Sequence, residues 1–165
     1  MKVFKKILPY LLIIVLVFLI RIFLATPVIV SGTSMNPTLL NNDILFLNKL
    51  KKDYKRFDIV VIDYKNEKIN EKLVKRIIGL PGEKIRYTNG NLYVNDKLVK
   101  DVYAPFTDDF NMSLFSTTTI PEGEYLVLGD NRANSLDSRR LGLIKKEDIK
   151  GTADFRLFHK FGKIE

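Results

Sequence analysis

The sequence predicts a mainly β protein: one N-terminal transmembrane helix followed by an all-β domain, an antiparallel sheet or partly closed barrel. Three observations carry that reading. A lysine-rich start precedes the long apolar run ILPYLLIIVLVFLI, which begins at Ile7. From Val28 onward the chain changes to short runs rich in β-branched residues, separated by turns. Asn89-Gly90 then stands between two alternating segments, the strongest short-range signal for a hairpin.

Residues 1–6 are basic and residues 7–24 are read as the span. Ile7 to Leu24 makes roughly 27 Å of helix against a hydrocarbon core of about 30 Å. Arg21 lies near the far end, within reach of the headgroups, and Pro27 ends any helix. Lys2, Lys5 and Lys6 precede the apolar run, which puts the N-terminus in the cytoplasm and residues 25–165 outside, a single-pass arrangement in the cell membrane. A cleaved secretory leader is the rival reading, but no A-x-A-like site follows, the local sequence being Phe23-Leu24-Ala25-Thr26-Pro27.

Beyond the span, Asp43–Leu47, Asp58–Ile62, Leu73–Ile78 and Tyr125–Leu128 read as mostly buried strands. Ile85-Arg86-Tyr87 and Leu92-Tyr93-Val94 flank the Asn89-Gly90 turn, and Asn95-Asp96 announces a second tight turn before Leu98-Val99. Residues 88–120 are expected to form a small lid or hairpin insertion. Lys145 to Ile149 is the best candidate for a helical turn outside the anchor.

Composition narrows the chemistry. The chain has 165 residues, 46% apolar and 11% aromatic, enough to build a core. Its net charge is +8, of which residues 1–30 carry four. The remaining excess of four is a solvated surface rather than a nucleic-acid-binding patch. There is no Cys and one His, His159, near the C-terminus. That excludes thiol catalysis and disulfides, and leaves a Ser-His-Asp triad or a His-rich metal centre only one imidazole to build on. His159 is read as a bystander.

Three segments hold candidate chemistry: Ser31-Gly32-Thr33-Ser34-Met35-Asn36-Pro37-Thr38-Leu39, then Lys72 to Gly82, then Gly129 to Arg139. Most hydroxyl-rich turns closed by Asn-Pro are only turns. A serine nucleophile does need such a place, with a small neighbour and free backbone N–H groups for an oxyanion. Lys75 most simply points to solvent. If it faces a dry cleft instead, desolvation and the adjacent Arg76 would lower its pKa and let it take a proton from a hydroxyl. Asp137 and Arg139 read as a pair holding a loop.

Together the segments resemble the bacterial type I signal peptidases. The SM-x-PTL, KRIIGLPG and GDNR-x-NS-x-DSR boxes occur in order, with weaker matches at Asp43-Ile44-Leu45 and from Arg56 to Val61. The short body resembles the compact, Gram-positive-like branch. The resemblance implies a membrane-bound serine endopeptidase that removes signal peptides from secreted preproteins after small residues, in an A-x-A pattern, near the secretion translocon. No metal or organic cofactor is implied. Ser34 would be the nucleophile and Lys75 the general base. Ser135 would orient the lysine, with Asp137, Arg139 and Arg76 as supporting residues. Met35, Leu39, Leu73 and Val30 would line the substrate pocket. Some members carry a serine two residues before the nucleophile that serves the oxyanion hole; here that position is Gly32, so the second donor is unassigned. Two other readings stay open: a tethered binding protein whose loop is only structural, and a self-cleaving repressor-type Ser-Lys protease.

Overall fold

The computed structural model describes residues 2–23, 25–67, 69–103, 106–157 and 162–164. Leu24, the far end of the expected span, and His159 lie outside the described residues. Helix α1 (Lys2–Phe23) is followed by strands β1 (Ala25–Ile29), β2 (Ile44–Asn48), β3 (Ile59–Lys65) and β4 (Asn70–Gly79). Next come β5 (Ile85–Thr88), β6 (Asn91–Val94), β7 (Lys97–Val99) and β8 (Phe110–Asn111), then β9 (Glu124–Leu128) and the short helix α2 (Ser138–Leu141). The chain closes with β10 (Ile144–Lys145), β11 (Ile149–Arg156) and β12 (Gly162–Lys163).

The strands form two antiparallel sheets. The larger runs β1-β2-β11-β3-β4-β9-β10, with β12 paired to β11, and the smaller runs β7-β6-β5-β8. Among the described residues neither closes into a barrel, which corrects the barrel form of the expectation and leaves the antiparallel sheet. The reason lies at the two edges that would have to meet. β1 is an end strand carrying Pro27, which has no N–H to donate to a further neighbour. β4 pairs β9 only from Arg76 onward, so its first half keeps a free edge. A cleft, not a hydrogen-bonded ladder, lies between them.

Turn chemistry sets the small sheet. Asn89 and Gly90 have φ of 50° and 74°, the positive pair that a type I′ hairpin requires, and Asn95 and Asp96 (50° and 62°) repeat it before β7. In β2, alternation turns Leu45 and Leu47 inward, where they join Val30, Ile59, Val61 and Val74 in one buried cluster. A second cluster under the small sheet unites Ile85, Tyr87 and Leu92 with Leu126 and Leu128 of β9, fixing that sheet to the larger one.

Among the described residues no helix is long and apolar enough to cross a membrane. The described side chains of α1 run from Lys6 to Val17 and are exposed, Ile7 to Val17 including eight further large apolar groups.

Candidate active site

The turn after β1 is built by its buried and its hydrogen-bonded residues. Met35 and Leu39 are sunk in the core, and Leu39 N–H closes back on the Met35 carbonyl at 2.9 Å. Asp43 caps the far end, its carboxylate accepting from Leu40 N–H at 2.8 Å. Gly32 sits at φ +88°, a conformation costly for any residue with a Cβ, and its N–H donates to Asn41 Oδ1. With its neighbour Met35 facing inward, Ser34 is left half-exposed at the head of the cleft.

Lys75 comes to it from β4. The residue is 2% exposed, with Nζ 2.8 Å from Ser34 Oγ and 3.0 Å from the Val74 carbonyl oxygen. Burial lowers the amine from 10.5 to about 8; the carboxylates of Asp137, Asp130 and Glu71 pull weakly the other way. A substantial neutral fraction therefore exists just above neutral pH, and a neutral amine accepts the hydroxyl proton.

Arg76 is not the charge that depresses Lys75. Adjacent strand residues face opposite ways, and the guanidinium turns to Asp130, with contacts of 2.9 and 2.7 Å, and to the Phe57 carbonyl at 2.8 Å. Tyr103 covers it, its ring centroid 3.4 Å from Cζ. Desolvation alone does the lowering.

The third segment forms the wall behind the serine. Asp137 is fully buried and accepts from Arg139 Nε and Nη2 at 2.9 and 2.8 Å, and from Gly129 N–H at 3.0 Å. Burial by itself would raise this carboxyl, but the hydrogen bonds from Arg139 and Gly129 outweigh it and hold the pKa below the ordinary value. The loop-holding pair read from the sequence is present. Ser135 departs from expectation: its buried Oγ makes no hydrogen bond to Lys75 and instead faces the Asp137 carboxylate, which it helps to keep ionised.

Of the expected pocket residues, Val30 and Leu73 line the cleft. Met35 and Leu39 do not; both belong to the core beneath it, because they are the residues that anchor the turn. The cleft holds about 960 Å³ between Thr26–Ser31 on one side and Glu71–Lys75 on the other.

Sequence reasoning missed three contributors. Asn131 N–H donates to the Ser34 carbonyl at 3.0 Å, and its Nδ2 to the Thr33 carbonyl at 3.2 Å. Asn134 Nδ2 reaches Thr33 Oγ1 at 3.2 Å. Gly129 permits the approach: a Cβ there would strike Ser135 Oγ and lie 2.5 Å from the Ser34 carbonyl oxygen. Their presence in one box with Ser135 and Asp137 was the available signal.

Comparisons with known proteins show the family. The family described as "Signal peptidase, peptidase S26" matches residues 3–158. A protein of Bacillus subtilis subsp. natto named signal peptidase I P is 44% identical over 155 residues, covering 87% of this chain and 83% of its own. Signal peptidase I of Streptococcus pneumoniae strain R6 is 39% identical over 200 aligned positions, covering 96% of each chain. The crystal structure of a signal peptidase I from Enterococcus faecalis V583 superposes with a TM-score of 0.56 at 33% identity, over 61% of this chain and 96% of that one. With the family matched over nearly its whole length, the chain belongs to the signal peptidases, peptidase family S26, and is a peptidase.

Proposed function

We propose that the protein is a membrane-bound serine endopeptidase that removes signal peptides from secreted preproteins with a Ser34–Lys75 dyad. The observation that carries this reading is the 2.8 Å separation of Ser34 Oγ from the amine of Lys75, a residue that is only 2% exposed. Ser34 attacks the carbonyl before the scissile bond while Lys75 takes its proton. The ammonium then protonates the leaving amine as the tetrahedral intermediate collapses to an ester. Water, deprotonated by the same lysine, hydrolyses the ester and restores the hydroxyl. The Ser34 backbone N–H serves as one oxyanion donor.

The substrate enters as an extended strand between the free edges of β1 and β4, which supply backbone partners on both sides. Cleavage after small residues in the A-x-A pattern follows from the family resemblance. The exposed apolar side chains of α1 support a membrane anchor, with lysines on the cytoplasmic side and the β domain outside, close to lipid and to the secretion translocon. Ser34 is ten residues past Leu24, at most about 35 Å when extended. Tethering places enzyme and substrate in one plane and raises their effective concentration.

The test is incubation of the detergent-solubilised protein with one preprotein, followed by sequencing of the new N-terminus. A single new terminus after a small residue, absent with Ser34→Ala, is expected. No cleavage by the parental chain, or cleavage by the variant at the parental rate, overturns the proposal.

A further inference from the structure

Asn131, which holds the Ser34 carbonyl, is flanked by two residues that are each locked in a buried ion pair. On one side Asp130 binds Arg76 at 2.7 Å, with side-chain exposures of 0% and 2%. On the other Arg132 binds Asp101 at 2.7 Å, with exposures of 3% and 2%. Both arginines are covered by the connection that leaves β7. Tyr103 lies over Arg76, and its N–H donates to Asp101 Oδ1 at 3.2 Å. Asp101 Oδ2 also accepts from the Tyr87 hydroxyl at 2.7 Å, and Arg132 Nη1 donates to Thr107 Oγ1. Arg132 in turn grips the catalytic loop, its Nε donating to the Gly129 carbonyl at 2.9 Å and its own carbonyl accepting from Arg139 at 2.7 Å.

From this geometry we infer that Asp101, with Tyr103 and Thr107, forms a latch that positions the nucleophile. It fixes Arg132 and Arg76, they fix the two ends of Asn131, and Asn131 holds the backbone of Ser34 at the distance from Lys75 that proton transfer requires. These are positioning residues, acting through Asn131 rather than on the substrate. Among the described residues, Asp101 is the carboxylate paired with the buried guanidinium of Arg132. Take that carboxylate away and the guanidinium is drawn toward water, carrying Gly129 and Asn131 with it. A displacement of a fraction of an ångström at Ser34 Oγ lowers the rate of the chemical step without altering the cleft between β1 and β4. The inference rests on the Ser34–Lys75 reading.

The experiment compares kcat and KM of the detergent-solubilised full chain, as parent, Asp101→Asn, Thr107→Val, Asn131→Ala and the Asp101→Asn/Asn131→Ala double variant. Folded fraction is measured by circular dichroism, and rates are expressed per folded enzyme. For Asp101→Asn, kcat falls about tenfold with KM within about twofold. Thr107→Val, which keeps the ion pair and the shape of the side chain, gives the same split at about threefold. Because both changes act through one residue, the double variant is no slower than the slower single variant. Parental kcat per folded enzyme in Asp101→Asn, or losses that multiply in the double variant, overturns the latch. Should Asp101→Asn fail to fold, Thr107→Val decides: an unchanged kcat rejects the proposal. A parent that does not cleave, or a Ser34→Ala variant that does, fails the dyad instead.

Discussion

Lys75 Nζ lies 2.8 Å from Ser34 Oγ, a contact between residues 41 positions apart that joins the lysine strand to the turn after β1. Each partner depends on the other element's fold: the amine is dry because β4 is covered, and the hydroxyl is aimed because Met35 and Leu39 pin its turn.

Removing either partner tests the contact. Ser34→Ala and Lys75→Ala should each lower preprotein cleavage by more than ~10³-fold, since members of a dyad act as a unit. Far-UV circular dichroism should remain parental for both. Measurable turnover near the parental rate in either would end the dyad assignment.

The pH profile follows from the buried amine. kcat/KM should rise through an apparent pKa of about 8. A rate that stays flat from about pH 5 to about pH 9, when chemistry is limiting, excludes Lys75 as the base. Stability carries the same signature. The amine binds its proton less tightly folded (about 8) than unfolded (10.5), so stability should increase as pH rises through that window. The full effect is roughly 3 kcal/mol. Lys75→Met should lose this rise, as followed by urea unfolding at a series of pH values.

Arg139→Met leaves the Asp137 carboxylate buried without its cation. A loss of about 3 kcal/mol is expected near neutral pH. Asp137 has a depressed pKa, so its contribution is present above the unfolded value of 3.8 and fades as pH falls through the lower folded one. The variant's deficit should therefore shrink in acid. A deficit equal at pH 7 and at pH 2 would contradict the pairing.

Gly129→Ala introduces a methyl group against Ser135 Oγ and the Ser34 carbonyl. Overpacking there should cost about 1–3 kcal/mol. Displacing Ser34 should, on the proposed dyad, lower kcat by about 100-fold. Thermal melting and steady-state kinetics check the two effects separately, and an unchanged kcat would place Gly129 outside the site's architecture.

Much of the fold was legible because local signals agreed with it. Runs of β-branched residues became β2, β3, β4 and β9, and Asn89-Gly90 and Asn95-Asp96 became turns, since positive φ is a property of those residues themselves. β11 went unread. Gly151 and two register shifts interrupt its pattern, and Gly151 is there because a side chain would collide with the Asn48 carbonyl of the neighbouring strand. Helix α2 was missed for a similar reason: it is four residues long and set by its Asp137 cap rather than by periodicity.

The sequence by itself marked the three boxes that hold Ser34, Lys75 and Asp137, the residues on which the proposed chemistry rests, and determined that the body is built of strands. Only the tertiary structure decided what each neighbour does. It turned Arg76 away from Lys75, faced Ser135 toward Asp137 rather than Lys75, sent Met35 and Leu39 into the core, and opened a cleft between β1 and β4. Residue identity and turn preference are local, whereas the direction of a side chain, its dryness and its partner depend on strands that meet only after the chain has folded.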